Sequence, residues 1–164
     1  MGITDKERGS KVFGHVTGLT GITSKNATLP SEVDQVTQRA SVTLTAAEVK
    51  ALKTTPQALV AAPGSGKANV VVEIFATHNF TTTSFTGSNN LEFRYTSSNG
   101  AKVTADIDAA FLLATEDTYK SVKGVVTEQT PVANAPIVVN VPTADPAQGL
   151  GTVKVQVYYR TITV

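Results

Sequence analysis

Few residues in this chain could do acid–base, metal or phosphate chemistry. The two histidines, His15 and His78, are the groups that could act as bases near neutral pH. They stand far apart, and neither has a serine or aspartate relay nearby of the kind that nucleophilic catalysis needs. His78, followed by Asn79, reads as a turn residue at a strand end. Asp106 and Asp108 fall on one face of an alternating segment, and Glu116 and Asp117 are adjacent in a loop. A calcium loop calls for more oxygen ligands at regular spacing, and a glycosidase dyad calls for a set carboxylate separation. Both pairs therefore read as solvated carboxylates. The stretch Pro63-Gly-Ser-Gly66-Lys67 suggests a phosphate cradle, but Ala61 stands where the first glycine of that motif belongs and Ala68 where its hydroxyl belongs. The order is also reversed, because a phosphate loop runs from strand to helix while Ala68 to Phe75 reads as a strand. The glycines turn the chain.

The composition narrows the function classes further. At 164 residues, the chain fits one domain plus an extension. Its 14 basic and 13 acidic residues are interspersed, so no stripe for phosphate backbones is visible and nucleic acid is not an expected partner. The absence of cysteine removes disulfides and thiolate metal sites. The first residues are charged and glycine-bearing where a signal peptide needs an apolar core, and no apolar run reaches membrane-spanning length. The expectation is a soluble protein made in the cytoplasm, with no membrane partner and no cofactor. The sequons at Asn26 and Asn79 carry no meaning without secretion. Charged residues make up only 16% of the chain while Thr, Val and Ala abound, which favours strands.

Two regions are expected. Residues 1–40 hold scattered glycines and apolar residues, among them Val12, Phe13, Leu19, Ile22 and Leu29, without sustained periodicity. Two readings compete, a disordered tail or an extended N-terminal arm that orders on a partner surface; the retained apolar residues favour the arm, with those five as its anchors. A helical turn capped by Ser31 is expected within 31–38. Residues 41–164 read as a folded domain. Thr45 and Glu48 form a capping box, Leu44 can staple onto Val49, and Ala46, Val49 and Leu52 share a face, so a short helix is predicted that Pro56 ends near Lys53.

Strands follow. Val70, Val72, Ile74 and Ala76 are expected on one face, with Val71, Glu73, Phe75 and Thr77 on the other. Leu91–Tyr95 and Val103–Ile107 alternate around Asn99-Gly100, a hairpin signal. Further strands are predicted at Phe111–Ala114, Ser121–Thr127, Ile137–Val141 and Thr152–Thr163. In the last, Val153, Val155, Val157 and Tyr159 face the core, while Tyr158 and Arg160 look outward and are candidates for a subunit interface. The predicted fold class is all-β: a jelly-roll-like antiparallel β-sandwich with one short N-terminal helix and the arm.

The succession LTAAEVKAL, TPQALVAAPGSGKANVVVEIF, LEFRYTSSNGAKVTADI and GTVKVQVYYR resembles a family of small tailed-bacteriophage virion proteins, the capsid decoration (cement) or head-fibre proteins. The resemblance spans roughly Val42 to Val164. It implies a non-enzymatic homotrimer on the outer capsid surface, partnered by the major capsid protein and held by N-terminal arms. A rival reading is a fibre or adhesin binding host carbohydrate through loops such as Thr81–Asn90 and Ala144–Gly151. A virion-associated hydrolase using Asp106, Asp108 or His78 is a third.

Overall fold

The computed structural model describes residues 36–87, 90–124 and 130–164. The five expected arm anchors lie outside the described residues, as does most of the turn expected after Ser31. Along the described chain run β1 (Gln38–Leu44), α1 (Ala46–Val49), β2 (Gln57–Val60), β3 (Lys67–Asn79), β4 (Phe85–Thr86), β5 (Glu92–Tyr95), α2 (Ala110–Leu113), β6 (Thr118–Lys123), β7 (Ile137–Asn140), β8 (Ala147–Gln148) and β9 (Thr152–Thr163). One sheet has the order β1-β9-β3-β6, a second has β2-β7-β5, and β4 with β8 makes a two-stranded ribbon. All pairings are antiparallel. The chain folds as an all-β sandwich.

The core lies between the two larger sheets. Ile74, Ala76, Val153, Val155 and Val157 point inward from the first, and Phe93, Tyr95, Ile137 and Val139 from the second, all of them buried. The Tyr95 hydroxyl donates to the Asn69 carbonyl, so its buried phenol has a partner, and burial pushes its pKa up to about 12. Burying a side chain of this class contributes about 1.5–3 kcal/mol.

The capped helix forms as its sequence requires. The Glu48 amide donates to Thr45 Oγ1 at 3.3 Å, and the Thr45 amide donates to the Glu48 carboxylate at 2.7 Å. The Thr45 amide, together with the Thr45 hydroxyl that donates to the same carboxylate at 2.8 Å, holds the Glu48 pKa below the ordinary glutamate range. The helix ends at Val49, earlier than Lys53, and the chain continues through turns whose Lys53 and Thr54 amides donate to Asp145 Oδ1 at 2.6 and 3.2 Å. Leu44, Val49 and Leu52 are buried together, which gives the helix its place on the core.

Four strand expectations are corrected. In β3 the register against β9 shifts between Val71 and Glu73, so Val71 turns inward and Val72 is left 41% exposed on a bulge. A bulge inserts one unpaired residue and reverses facing beyond it, which simple alternation cannot express. Gly124 makes the bulge possible: its amide donates to the Val72 carbonyl at 2.9 Å, and a Cβ there would lie 2.0 Å from the Val71 oxygen.

The segment expected as a strand at Phe111–Ala114 is instead α2, because Phe111 and Leu112 are adjacent and both buried, which a strand with one buried face does not provide. The strand expected at Ser121–Thr127 begins earlier, at Thr118, and 125–127 fall outside the described residues.

The hairpin expected around Asn99-Gly100 is only partly formed: Val103–Ile107 is not a strand and meets the Leu91–Tyr95 segment through isolated bridges at Leu91↔Ile107 and Arg94↔Lys102, while β5 pairs with β7. Tyr95 donates to Ala101 across a longer loop in which Thr96 adopts φ 66°, and Leu91 and Ile107 exchange backbone bonds at its base. Gly100 is required there because a Cβ would lie 1.6 Å from the Tyr95 oxygen.

Candidate functional site

The Pro63–Lys67 loop joins β2 to β3, so it connects strand to strand. Gly64 and Gly66 take φ of 99° and 69°, which L-residues rarely adopt. The Gly64 amide is bound to Asn134 Oδ1 at 3.1 Å, and the Gly66 carbonyl accepts from Val164 at 2.9 Å. The loop's polar groups serve the fold.

His78 is not a turn residue. It is fully buried near the end of β3, with its ring beside Phe85 and Phe111 at centroid distances of 5.5 and 6.0 Å. Its Nδ1 donates to the Phe111 carbonyl at 3.1 Å, and Nε2 has no partner. Burial holds its pKa below the ordinary histidine value, against the Phe111 carbonyl and the Asp117 carboxylate, which favour the charged ring.

Two of the four acidic candidates are engaged in structural bonds. Asp106 accepts from Lys102 Nζ at 2.8 Å, and Asp117 accepts from the Phe80 amide at 2.8 Å. Among the described residues no group of three or more His, Cys, Asp or Glu could hold a metal, and no helix is long and apolar enough to cross a membrane.

One charged cluster escaped the alternating pattern. Glu92, which alternates with the apolar Leu91, Phe93 and Tyr95, is only 5% exposed, and its carboxylate accepts from Arg94 Nε at 2.8 Å and Lys102 Nζ at 2.9 Å. Burial opposes its charge, but the two charge-assisted bonds prevail and its pKa lies below the ordinary range. The opposite residue on β7, Asn140, is fully buried with both side-chain amide atoms unpartnered. The signal for this cluster was a glutamate followed two residues later by arginine within a strand, and it points to sheet stability.

The outer face of the four-stranded sheet is exposed or half-buried along its length. Cross-strand register places its side chains in rows: Lys123, Glu73, Tyr158 and Arg39; then Ser121, Phe75, Gln156 and Ser41; then Tyr119, Thr77, Lys154 and Thr43. Phe75 and Tyr158 meet edge to face at 5.8 Å, and Tyr119 is 79% exposed. Tyr158 and Arg160 thus share this face, while Tyr159 packs against the core from the other side. Arg160 donates from Nε to Thr37 Oγ1 at 3.4 Å. Arg39, Lys123, Lys154 and Arg160 form no ion pair among the described residues, and Glu73 is the single acid in the three rows.

No protein-family model matches the chain, and no curated protein does. Among solved structures, it is similar to a chain of the cyanophage Pam1 capsid asymmetric unit, at 13% identity over 76% of this chain and 83% of that one, with a TM-score of 0.46. It is also similar to a chain of the capsid of Ralstonia phage GP4, at 16% identity over 79% of this chain and 85% of that one, with a TM-score of 0.43.

Proposed function

We propose that this chain is a structural, non-enzymatic part of a tailed-phage virion: a decoration, or cement, protein on the outer surface of the head, partnered by the major capsid protein. The observation that carries the reading is the order of the pieces bearing the resemblance, each of which is a part of the sandwich frame. They are the capped helix after Leu44, β2 and β3 with their loop, the β5 hairpin and β9. Residue types that could do chemistry are spent on structure, as with His78 and Glu92. A shell under internal pressure gains from a protein spanning its subunit junctions, since binding to the assembled state shifts assembly by mass action. Three copies acting together would add avidity, which is why a homotrimer belongs to the reading.

In this reading the N-terminal arm, anchored through Val12, Phe13, Leu19, Ile22 and Leu29, clamps the sandwich to the head. Because β1 begins at Gln38 and the compact unit starts at Val36, the test is removal of residues 1–35 rather than 1–40. The truncated protein should keep its thermal unfolding midpoint and lose co-sedimentation with heads. Undiminished co-sedimentation would refute the arm.

A second reading, a fibre or adhesin binding host carbohydrate, is favoured by one observation. The two loops it invokes, Thr81–Asn90 and Ala144–Gly151, meet in the β4–β8 ribbon, where Phe85 pairs with Gln148 and Thr86 with Ala147. Saturable glycan-array binding, lost on substitution of Thr86 and Gln148, would favour it over cement.

A further inference from the structure

The two edges of the four-stranded sheet are built differently. β6, at one edge, carries Lys120 and Lys123 and stops at the Gly124 contact with the bulge. Lysines and bulges are the usual means by which a sheet discourages another strand from pairing with it. β1, at the other edge, has neither. Its sequence QRASVTL contains no Pro, Gly or Lys, and its register with β9 is unbroken from Gln38↔Tyr159 to Leu44↔Val153. Among the described residues, no backbone hydrogen bond runs from β1 to anything but β9. An antiparallel edge strand bonded on one side presents its alternate N–H and C=O groups outward, a template for one more strand.

We propose that β1 is a docking edge that takes an extended, acidic segment of a partner protein as a fifth strand. The face chemistry specifies the occupant. On the outer face, Arg39 lies on β1 and Lys154 and Arg160 on the adjacent β9, all exposed and without an ion pair among the described residues; the one acid of the rows, Glu73, is a strand further away. On the inner face, Ala40 and Val42 are only partly buried and pack against the core at its margin. A fitting segment therefore alternates acids beside Arg39, Ser41 and Thr43 with apolar residues beside Ala40, Val42 and Leu44. A second copy of this chain fits less well, because pairing β1 with β1 sets the same cations on both sides of the seam. The inference is independent of the phage reading, since it concerns the edge and not the origin of the segment.

The test uses the full chain and a synthetic peptide, acetyl-Val-Glu-Val-Asp-Val-Glu-Thr-amide, with a counterpart carrying lysine at each acid. Amide hydrogen exchange across 38–44 should slow saturably with the acidic peptide at up to millimolar concentration and stay unchanged with the lysine peptide. Arg39→Glu should weaken that effect roughly tenfold without lowering the unfolding midpoint. Of Ala40→Pro and Ser41→Pro, one removes an outward N–H and the other a ladder N–H, so one variant should keep its stability while losing peptide protection. No protection at 38–44, equal protection by both peptides, or protection that rises with protein concentration alone, as self-pairing would give, overturns the proposal.

Discussion

Lowering the pH from 7.5 to 5.5 should destabilise this protein through His78, and replacing His78 with asparagine should remove that part of the loss. Asparagine keeps a donor where Nδ1 meets the Phe111 carbonyl but does not titrate. In the folded chain the ring is fully buried, and a proton on Nε2 would find no acceptor. In the unfolded chain it titrates near the ordinary value of about 6.5. Because the folded pKa is depressed, the unfolded state takes up the proton first as pH falls. The stabilisation is thus complete above about pH 6.5 and declines below it, until the folded pKa is reached. One pH unit inside that window costs about 1.4 kcal/mol. With a urea m-value of about 2 kcal/mol/M, the wild-type midpoint should fall further than that of His78→Asn between pH 7.5 and 5.5, by at most about 0.7 M. His15 and the carboxylates are common to both proteins and cancel in the difference. Parallel pH dependence of the two midpoints, or an NMR titration placing the His78 ring at or above 6.5, would refute the reasoning.

Gly124→Ala should destabilise by about 2–4 kcal/mol, because its Cβ would meet a backbone oxygen that cannot swing aside, and the urea midpoint measures it. Glu92→Gln should cost about 2–3 kcal/mol at pH 7 by leaving Arg94 and Lys102 without their shared carboxylate, less than a fully buried pair because Lys102 is partly exposed. Since the folded pKa of Glu92 is depressed, its contribution is present above about pH 4.5 and is lost as pH falls below that, so the wild type and the variant should converge in acid. Thr45→Val should cost about 1 kcal/mol by removing the cap of α1, read as a lowered thermal midpoint.

Local chemistry made parts of this molecule readable in advance. Thr45 and Glu48 specify their helix start by reciprocal bonds three residues apart, and the alternation from Thr152 to Thr163 specifies β9 and the opposed faces of Tyr158 and Tyr159. What stayed hidden depends on distant partners. The inward turn of Val71 follows from Gly124, some fifty residues later. The burial of His78 follows from Phe85 and Phe111, and that of Glu92 from Lys102. The helix at Ala110–Leu113 escaped because four apolar residues in a row fit a buried strand as well as a helical turn. Of the candidate site, the facing of Tyr158 and Arg160 was legible, but the assembly of cations, aromatics and hydroxyls into one sheet face required the strand order.

The position of β9 gives the molecule a timetable. It lies between β1 and β3, so among the described strands the earliest has no neighbour in its sheet until the latest exists: Leu44 waits for Val153. At ribosomal rates of 5–20 residues per second, that interval is on the order of ten seconds. Throughout it β1 is unpaired and the β9-facing edge of β3 is open; β3 can pair with β6 once Lys123 has been made, but β1 joins them only when β9 arrives. A chain interrupted before Thr152 would keep its capped helix and its β5 hairpin sequence intact, yet have no centre for its largest sheet.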